Sequence, residues 1–229
     1  QMCIRDSTNT VDWIGGFGSA RYNTEQLTAF GVFGWTSSSF TVTDHFTPYN
    51  SSTHQSSFQS SGEGGALMLT NNNLTGTQLK LGARYFLSPA VSFFANFGSI
   101  NKVPILDQAI DDEDYLIIEN PVQENFTSIE IGTRASLMNN QLTVNAVYYN
   151  SQWNDRQARK YAQNEEGTSI VANLEGLDQL HTGFEVEVAY QPMPLLRVDA
   201  ALGIGNWTYT DDVKASYDDW DSGVKQERE

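Results

Sequence analysis

The sequence contains a single cysteine, Cys3, among its 229 residues. One thiol excludes an intrachain disulfide and a metal site built from several cysteines. The chain also lacks any run of about 18 apolar residues, the length that a transmembrane helix requires. That second absence leaves membrane barrels open, because the strands of such barrels are apolar on one face only.

Positive charge is scarce, since 13 Lys and Arg residues stand against 28 Asp and Glu residues and give a formal net charge of −15. Proteins that bind nucleic acid neutralise its phosphates with Lys and Arg, so we expect no nucleic-acid partner. The sequence also lacks the G-x-S-x-G, H-E-x-x-H and Gly-rich phosphate-binding motifs of common enzymes. We therefore expect no catalytic residue, no enzymatic activity and no cofactor.

What the sequence does contain is an alternation of apolar and polar residues, which predicts strands with one apolar face. The alternation is clearest in FTSIEIGTRASLM, residues 126–138, and in QLTVNAVYY, residues 141–149. Asn139-Asn140 lies between them, and this pair tolerates left-handed conformations, so it predicts a two-residue hairpin turn. Residues 76–87, 91–100, 177–191 and 195–209 alternate in the same way.

The predicted connections alternate in length along the chain. Short turns are predicted at residues 23–25, 88–89, 139–140 and 192–194. Long polar loops are predicted at residues 47–65, 101–125, 153–176 and from residue 211 onward. A membrane barrel has this arrangement, because its short turns lie at one end and its long loops at the other. We therefore predict an all-β fold, an antiparallel up-and-down transmembrane β-barrel that is present in part.

The polar residues of these strands share one face, which would face the lumen of a barrel. The residues predicted to face the lumen are Glu130, Arg134, His181, Glu185, Arg197 and Asp199. The opposite face carries no charge across five predicted strands, which suits contact with lipid. Aromatic residues near strand ends are predicted to form interfacial girdles, and they are Tyr85, Tyr148, Tyr190 and Phe126. A soluble β-sandwich would alternate too, but it would bury Ile129 and Phe184 under a second sheet.

Three motifs stand out in the alternating part of the chain. They are NP followed by an E-x-G strand at residues 120–132, Y-x-x-x-W at residues 149–153 and H-T-G-F-E-V at residues 181–186. With the strands around them, these motifs resemble the barrel of TonB-dependent outer-membrane receptors, most closely the large receptors typical of Bacteroidetes-type bacteria. The resemblance covers most of residues 76–212.

The resemblance implies a barrel of about 22 strands in the bacterial outer membrane, with an N-terminal plug domain inside it. It implies three partners: outer-membrane lipid, a small-molecule or oligomeric nutrient ligand, and the TonB complex, which acts through the plug. We expect residues 10–229 to supply about eight to ten strands of one such barrel, with the plug and the C-terminal strands missing. Residues 1–9 are expected to be a non-native or disordered lead.

The function that the resemblance implies is energy-coupled uptake of a scarce ligand, such as an iron chelate, a vitamin or a glycan. Two alternatives remain open at this point. One is a passive, porin-like outer-membrane barrel. The other is a secreted, soluble β-sandwich that binds carbohydrate.

One predicted loop is basic and aromatic in an otherwise acidic chain. Its candidate ligand-binding residues are Trp153, Arg156, Arg159 and Tyr161. External loops of receptors capture ligand, and arginine beside aromatic rings suits an anionic or aromatic ligand.

An acidic run offers a second candidate site. Its carboxylates are Asp111, Asp112 and Asp114, and clustered carboxylates can bind a divalent cation. The spacing lacks the alternating ligands, the mid-loop glycine and the closing Glu of an EF-hand. A solvated acidic loop without a metal is the simpler interpretation.

Overall fold

The computed structural model describes residues 7–50, 52, 64–111, 115–163, 169–211, 214–219 and 224–228. At residues 159–163, 169–173, 175, 214–219 and 224–228 it describes the backbone alone. Most of the described residues lie in strands, and the strands pair in an antiparallel way, so the predicted fold class is confirmed. Among these residues no helix is both long and apolar enough to cross a membrane.

One large sheet contains most of the strands in the described part of the chain. In chain order the elements are β1 (Ser7–Asn23), β2 (Leu27–Pro48), β3 (Ala66–Phe86), β4 (Val91–Asn101), α1 (Leu106–Ala109), β5 (Ile110–Asp111), β6 (Leu116–Ile117), β7 (Asn125–Leu137), β8 (Leu142–Gln163), β9 (Ser169–Met193), β10 (Leu196–Tyr209), β11 (Lys214–Asp219) and β12 (Val224–Arg228). The sheet runs β1-β2-β3-β4-β7-β8-β9, and β9 then pairs with β10 and with the β11–β12 hairpin. β5 and β6 form a separate two-stranded sheet. Chain order and sheet order therefore agree, as an up-and-down topology requires.

The predicted short turns are present. Residues 24–26, 87–90 and 194–195 join β1 to β2, β3 to β4 and β9 to β10. The β7–β8 turn is longer than the predicted two residues. It spans residues 138–141, with positive φ at Met138, Asn139 and Asn140. The N–H of Gln141 donates to the carbonyl of Met138 (3.1 Å), which closes this turn.

The predicted long loop at residues 153–176 is wrong. β8 continues to Gln163 and β9 begins at Ser169, and the two strands pair from Ala158↔Leu174 to Gln163↔Ser169. Two register shifts between Trp153 and Ala158 interrupt the pairing without ending it. The error arose because residues 153–163 are mostly polar and lack apolar alternation, so polarity alone indicated a loop.

β3 begins ten residues before the alternating segment predicted at residues 76–87. The strand runs without a break through Asn73, which has a positive φ of 62°. Before Asn73 the buried positions are Leu67, Leu69 and Asn71, and after it Leu74 is buried. This change of parity is the signature of a β-bulge, which inserts one residue and shifts the following side chains.

The chain folds into two compact units. Unit 1 comprises Gln1–Phe17, Gly34–Thr77 and Asn101–Gln123, and unit 2 comprises Gly18–Phe33, Gln78–Ile100 and Glu124–Glu229. Unit 1 holds the buried apolar core of the described residues. Its members are Phe40, Val42, Tyr49, Leu67, Leu69, Leu74, Ala109 and Ile110.

Within unit 1, the segment that carries α1, β5 and β6 is clamped to β3 by one amide. The side chain of Asn71 is 6% exposed, and its Nδ2 donates to the carbonyls of Ala109 and Ile118, both at 2.8 Å. The N–H of Ile118 donates to the same Ala109 carbonyl at 3.1 Å. Asn71 therefore binds the carbonyl that precedes β5 and the carbonyl that follows β6, and so joins the small sheet to β3.

A second anchor joins the same segment to β2. The hydroxyl of Tyr115 donates to Oδ2 of Asp44 (3.2 Å) and lies 3.1 Å from Oγ1 of Thr47. Burial raises the pKa of Asp44, but hydrogen bonds from Thr47, Phe46 and Tyr115 outweigh burial, and the net pKa lies below the ordinary value of 3.8. The ionised carboxylate is therefore the form that this anchor stabilises.

In unit 2, strands β7 to β9 have the two faces that the alternation predicts. The apolar face includes Ile129 and Phe184, which are 44% and 48% exposed. A sandwich requires these side chains to be buried, so the sandwich alternative is wrong. The opposite side of these strands, here called the polar face, carries Glu130, Arg134 and Glu185.

Candidate functional site

The register of β7, β8, β9 and β10 aligns the side chains of the polar face in rows. Residues directly opposite each other on antiparallel strands share a face, so each row is a set of neighbours. From the end nearest Asn125 toward the short turns, rows one to six are Phe126-Trp153-Gln179-Tyr209, Ser128-Ser151-His181-Trp207, Glu130-Tyr149-Gly183-Gly205, Gly132-Val147-Glu185-Gly203, Arg134-Asn145-Glu187-Ala201 and Ser136-Thr143-Ala189-Asp199.

Five of the six residues predicted to face a lumen lie in these rows. They are His181 in row two, Glu130 in row three, Glu185 in row four, Arg134 in row five and Asp199 in row six. The sixth, Arg197, precedes row six on β10 and forms a bidentate ion pair with Asp199, with a shortest distance of 2.8 Å. Both partners are exposed, so this pair contributes little to stability.

The charged rows, four to six, border two cavities of unit 2. The first has a volume of about 580 Å³, and its charged lining residues are Arg21, Arg84, Arg134, Glu185 and Glu187. The second has a volume of about 500 Å³, and its charged lining residues are Arg134, Glu187, Arg197 and Asp199. Neutral amides pair with two carboxylates of the polar face, because Asn96 donates to Glu130 of row three (3.2 Å) and Asn145 donates to Glu187 of row five (3.3 Å).

Aromatic rings occupy the other end of the polar face. The rings of Phe126 and Trp153 meet edge to face, with centroids 5.9 Å apart. Nε1 of Trp207 donates to the hydroxyl of Tyr149 at 3.0 Å, and the Trp207 ring lies 6.1 Å from that of His181. Rows one to three therefore hold all six rings of these rows, and rows four to six hold none.

A bulge in β8 brings Arg156 over the Trp153 ring. Asp155 has a positive φ of 56°, and its N–H donates to Oδ1 of Asp178 at 2.8 Å. The guanidinium carbon of Arg156 lies 4.5 Å from the centre of the Trp153 ring. Its Nη1 donates to Oε1 of Gln179 at 3.3 Å. The structure thus brings together two of the predicted ligand-binding residues.

The predicted position of those residues in a loop is wrong, because all four lie on β8. For Arg159 and Tyr161 the structure describes only the backbone, which pairs with Asn173 and Val171 of β9. The predicted girdle position of Phe126 is also wrong. Phe126 lies on the polar face, where it packs against Trp153.

Sequence reasoning missed Tyr149, Gln179 and Trp207 as members of this site. Each of them is on the polar face of its own strand, and that parity was readable from the alternation. Their proximity was not readable, because alternation along one strand does not say which residues of the next strand lie opposite.

The acidic run of residues 111–115 has no metal-binding geometry in the described part of the chain. Asp111 ends β5, whereas Asp112 and Asp114 lie outside the described residues. Among the described side chains, no three His, Cys, Asp or Glu residues are grouped so that they could hold a metal ion.

Comparison with known proteins identifies the fold. A family model described as TonB dependent receptor-like, beta-barrel, matches residues 4–226. Two similar solved structures are the copper transporter OprC (16% identity, TM-score 0.59) and the closed form of the ferric-catecholate import receptor Fiu from E. coli K12 (13% identity, TM-score 0.53).

Each of these comparisons covers 93% of this chain, but only 32% of OprC and 33% of Fiu, so the chain spans about a third of their length. No curated protein matches the sequence significantly. The match of the family model along nearly the whole chain shows that it belongs to the TonB-dependent receptor family and forms part of its β-barrel.

Proposed function

We propose that this chain is part of the barrel wall of an outer-membrane receptor that imports a scarce nutrient ligand. Energy for import would come from the TonB complex, acting through a plug domain supplied by the rest of the receptor. The chain itself would contribute lipid-facing strands, a lumen surface and part of the ligand-binding surface. It would have no catalytic role.

The two-faced sheet of unit 2 carries this proposal. A strand needs about 9–11 residues to cross a bilayer, and β7 has 13. On the apolar face Ile129, Ile131 and Phe184 are exposed, which is costly in water and favourable in lipid. On the polar face the charged rows border cavities, as a hydrated lumen or a plug-facing wall would.

Trp153 and Arg156 support the ligand-binding part of the proposal, with Arg159 and Tyr161 further along the same strand. β8 has 22 residues, about twice the length that a bilayer requires, so its second half would project beyond the membrane. The related structures are named for import of a ferric catecholate and for transport of copper. We therefore propose a ligand of the general class of scarce nutrients, such as an iron chelate, a vitamin or a glycan.

Cysteine labelling of two adjacent positions on β9 tests the membrane assignment. In the full-length receptor, with Cys3 replaced by Ser, Val186→Cys would lie on the apolar face and Glu185→Cys on the polar face. In cells we expect lipid-chain probes to reach Val186→Cys and a water-soluble thiol reagent to label Glu185→Cys. Equal aqueous labelling of both positions would contradict the proposal.

Energy dependence tests the import mechanism and separates it from a passive porin. Uptake of radiolabelled candidate nutrients is measured in cells with and without a functional TonB complex. An energy-coupled receptor loses uptake when TonB is removed, because the plug is then not displaced. Uptake that persists unchanged without TonB would identify a passive barrel and reject the proposed mechanism.

A further inference from the structure

We infer that the aromatic end of the polar face is a binding platform for an anionic ligand built from flat rings. The platform, as defined here, comprises Phe126, Tyr149, Trp153, His181, Trp207 and Tyr209, with Arg156 at its border. This inference rests on the proposed function and adds to it the chemical class of the ligand and the residues that would hold it.

The first observation is the segregation of side chains along one face. Rows one to three of the polar face carry rings on all four strands together with the carboxylate of Glu130, whereas rows four to six carry no ring. The platform is three strand spacings wide and three rows long, or roughly 14 by 13 Å. A surface of this size accommodates two or three linked or fused rings.

The second observation is that contacts within the protein hold several of these rings in place. The Trp207 indole donates to the Tyr149 hydroxyl, and the Tyr149 ring lies so close over Gly183 that a Cβ at Gly183 would overlap it. Trp153 is held between Phe126 and Arg156. Rings fixed before binding lose little conformational entropy when a ligand stacks on them.

Ring surface is left open for a ligand. Phe126, Tyr149 and Trp153 are half-buried rather than fully buried, so part of each ring is accessible. The hydroxyls of Ser128 and Ser151, which lie beside the rings in row two, are 2.7 Å apart. Aromatic side chains stack on flat rings, with about 0.5–1.5 kcal/mol beyond area burial for each ring pair.

The third observation is the charge at the border of the platform. Half-buried Arg156 lies over the Trp153 ring and donates to the neutral amide of Gln179, and the Gln179 side chain is 7% exposed. The nearby carboxylate of Glu124 accepts the N–H of Gln157 at 3.4 Å. A guanidinium with neutral partners, in a chain of net charge −15, is suited to bind an anionic group of the ligand.

Three probes separate the contributions of ring and charge. 2-Naphthoate has flat rings and a carboxylate, 2-naphthamide has the rings without the charge, and cyclohexanecarboxylate has the charge without a flat ring. Their binding to the full-length receptor, purified in detergent, is measured by calorimetry. We expect 2-naphthoate to bind most tightly of the three.

Three variants and a matched control assign the binding to the platform. Arg156→Gln should weaken 2-naphthoate binding about tenfold or more and remove its preference over 2-naphthamide, because a charge-assisted hydrogen bond is lost. Trp207→Leu should weaken both aromatic probes. For Tyr149→Leu we expect weaker binding, and for Tyr148→Leu, on the adjacent apolar face, unchanged binding.

The inference would be overturned by any of three results with folded receptor, as judged by its thermal unfolding. The first is that 2-naphthoate shows no saturable binding. The second is that 2-naphthoate and 2-naphthamide bind equally tightly. The third is that Tyr148→Leu and Tyr149→Leu change 2-naphthoate binding equally. If Tyr149→Leu does not fold, exposed Trp207→Leu supplies the same test. The assay needs no transport, so a receptor that binds the probe but shows no TonB-dependent uptake would refute only the proposed function.

Discussion

Replacing Asn71 by Ala should release the segment of α1, β5 and β6 from β3 in unit 1. The wild-type amide makes two hydrogen bonds of 2.8 Å, to the carbonyls of Ala109 and Ile118. The Ala109 carbonyl keeps the N–H of Ile118 as a partner in the variant. The Ile118 carbonyl loses the donor that Asn71 supplied.

The magnitude follows from these two bonds. A hydrogen bond contributes about 0.5–1.5 kcal/mol net, and water can reach the Ile118 carbonyl, because Ile118 is 37% exposed. Losing two ordinary bonds should therefore lower the free energy of local opening by about 1–3 kcal/mol. At about 1.4 kcal/mol for each factor of ten, amides of the segment should exchange roughly 5 to 150 times faster.

Amide hydrogen exchange of the full-length receptor, read by mass spectrometry on peptides covering residues 106–111 and 115–118, measures this change. Asn72→Ala is the matched control, since Asn72 is exposed and adjacent in the same strand. Surface substitutions of this kind are usually within ±0.5 kcal/mol. Unchanged exchange in Asn71→Ala, or equal acceleration in both variants, would refute the clamp that we describe.

Three further predictions follow from individual contacts. Because the pKa of Asp44 is lowered in the folded protein, its stabilising effect is present above pH 3.8 and is lost as the pH falls through the lower folded value. Exchange of residues 115–118 should accelerate in that acidic range, and Asp44→Asn should remove the pH dependence. Gly183→Ala should lower the stability by about 1–3 kcal/mol in thermal unfolding, because its Cβ would overlap Tyr149. Gly203→Ala, where the nearest atom is 3.8 Å away, should have little effect. Arg197→Ala should leave the unfolding midpoint unchanged, since its ion pair is exposed.

The sequence alone determined the faces of the strands. Ile129 and Glu130 fall on opposite sides of β7 because successive side chains of any strand point in opposite directions. This rule needs no knowledge of the partner strand. The short turns were readable for a similar reason, since Asn and Pro restrict or permit particular backbone angles whatever surrounds them.

The lengths of the strands were not readable beyond the apolar alternation. The second half of β8 and the first residues of β9 show no clear alternation, yet they pair from Ala158↔Leu174 to Gln163↔Ser169. Backbone hydrogen bonds between the strands hold this extension, and backbone groups are the same in every sequence. Composition therefore could not separate a hydrated strand from a hydrated loop.

Only the tertiary structure decided which residues meet. Trp207 and Tyr149 are 58 positions apart, and Asn71 is 38 and 47 positions from the two carbonyls it binds. A slip of one residue in the pairing of two strands would move every side chain to the other face, so register sets each of these contacts. Register depends on hydrogen bonds between distant segments, and for that reason the platform and the clamp became visible only in the folded chain.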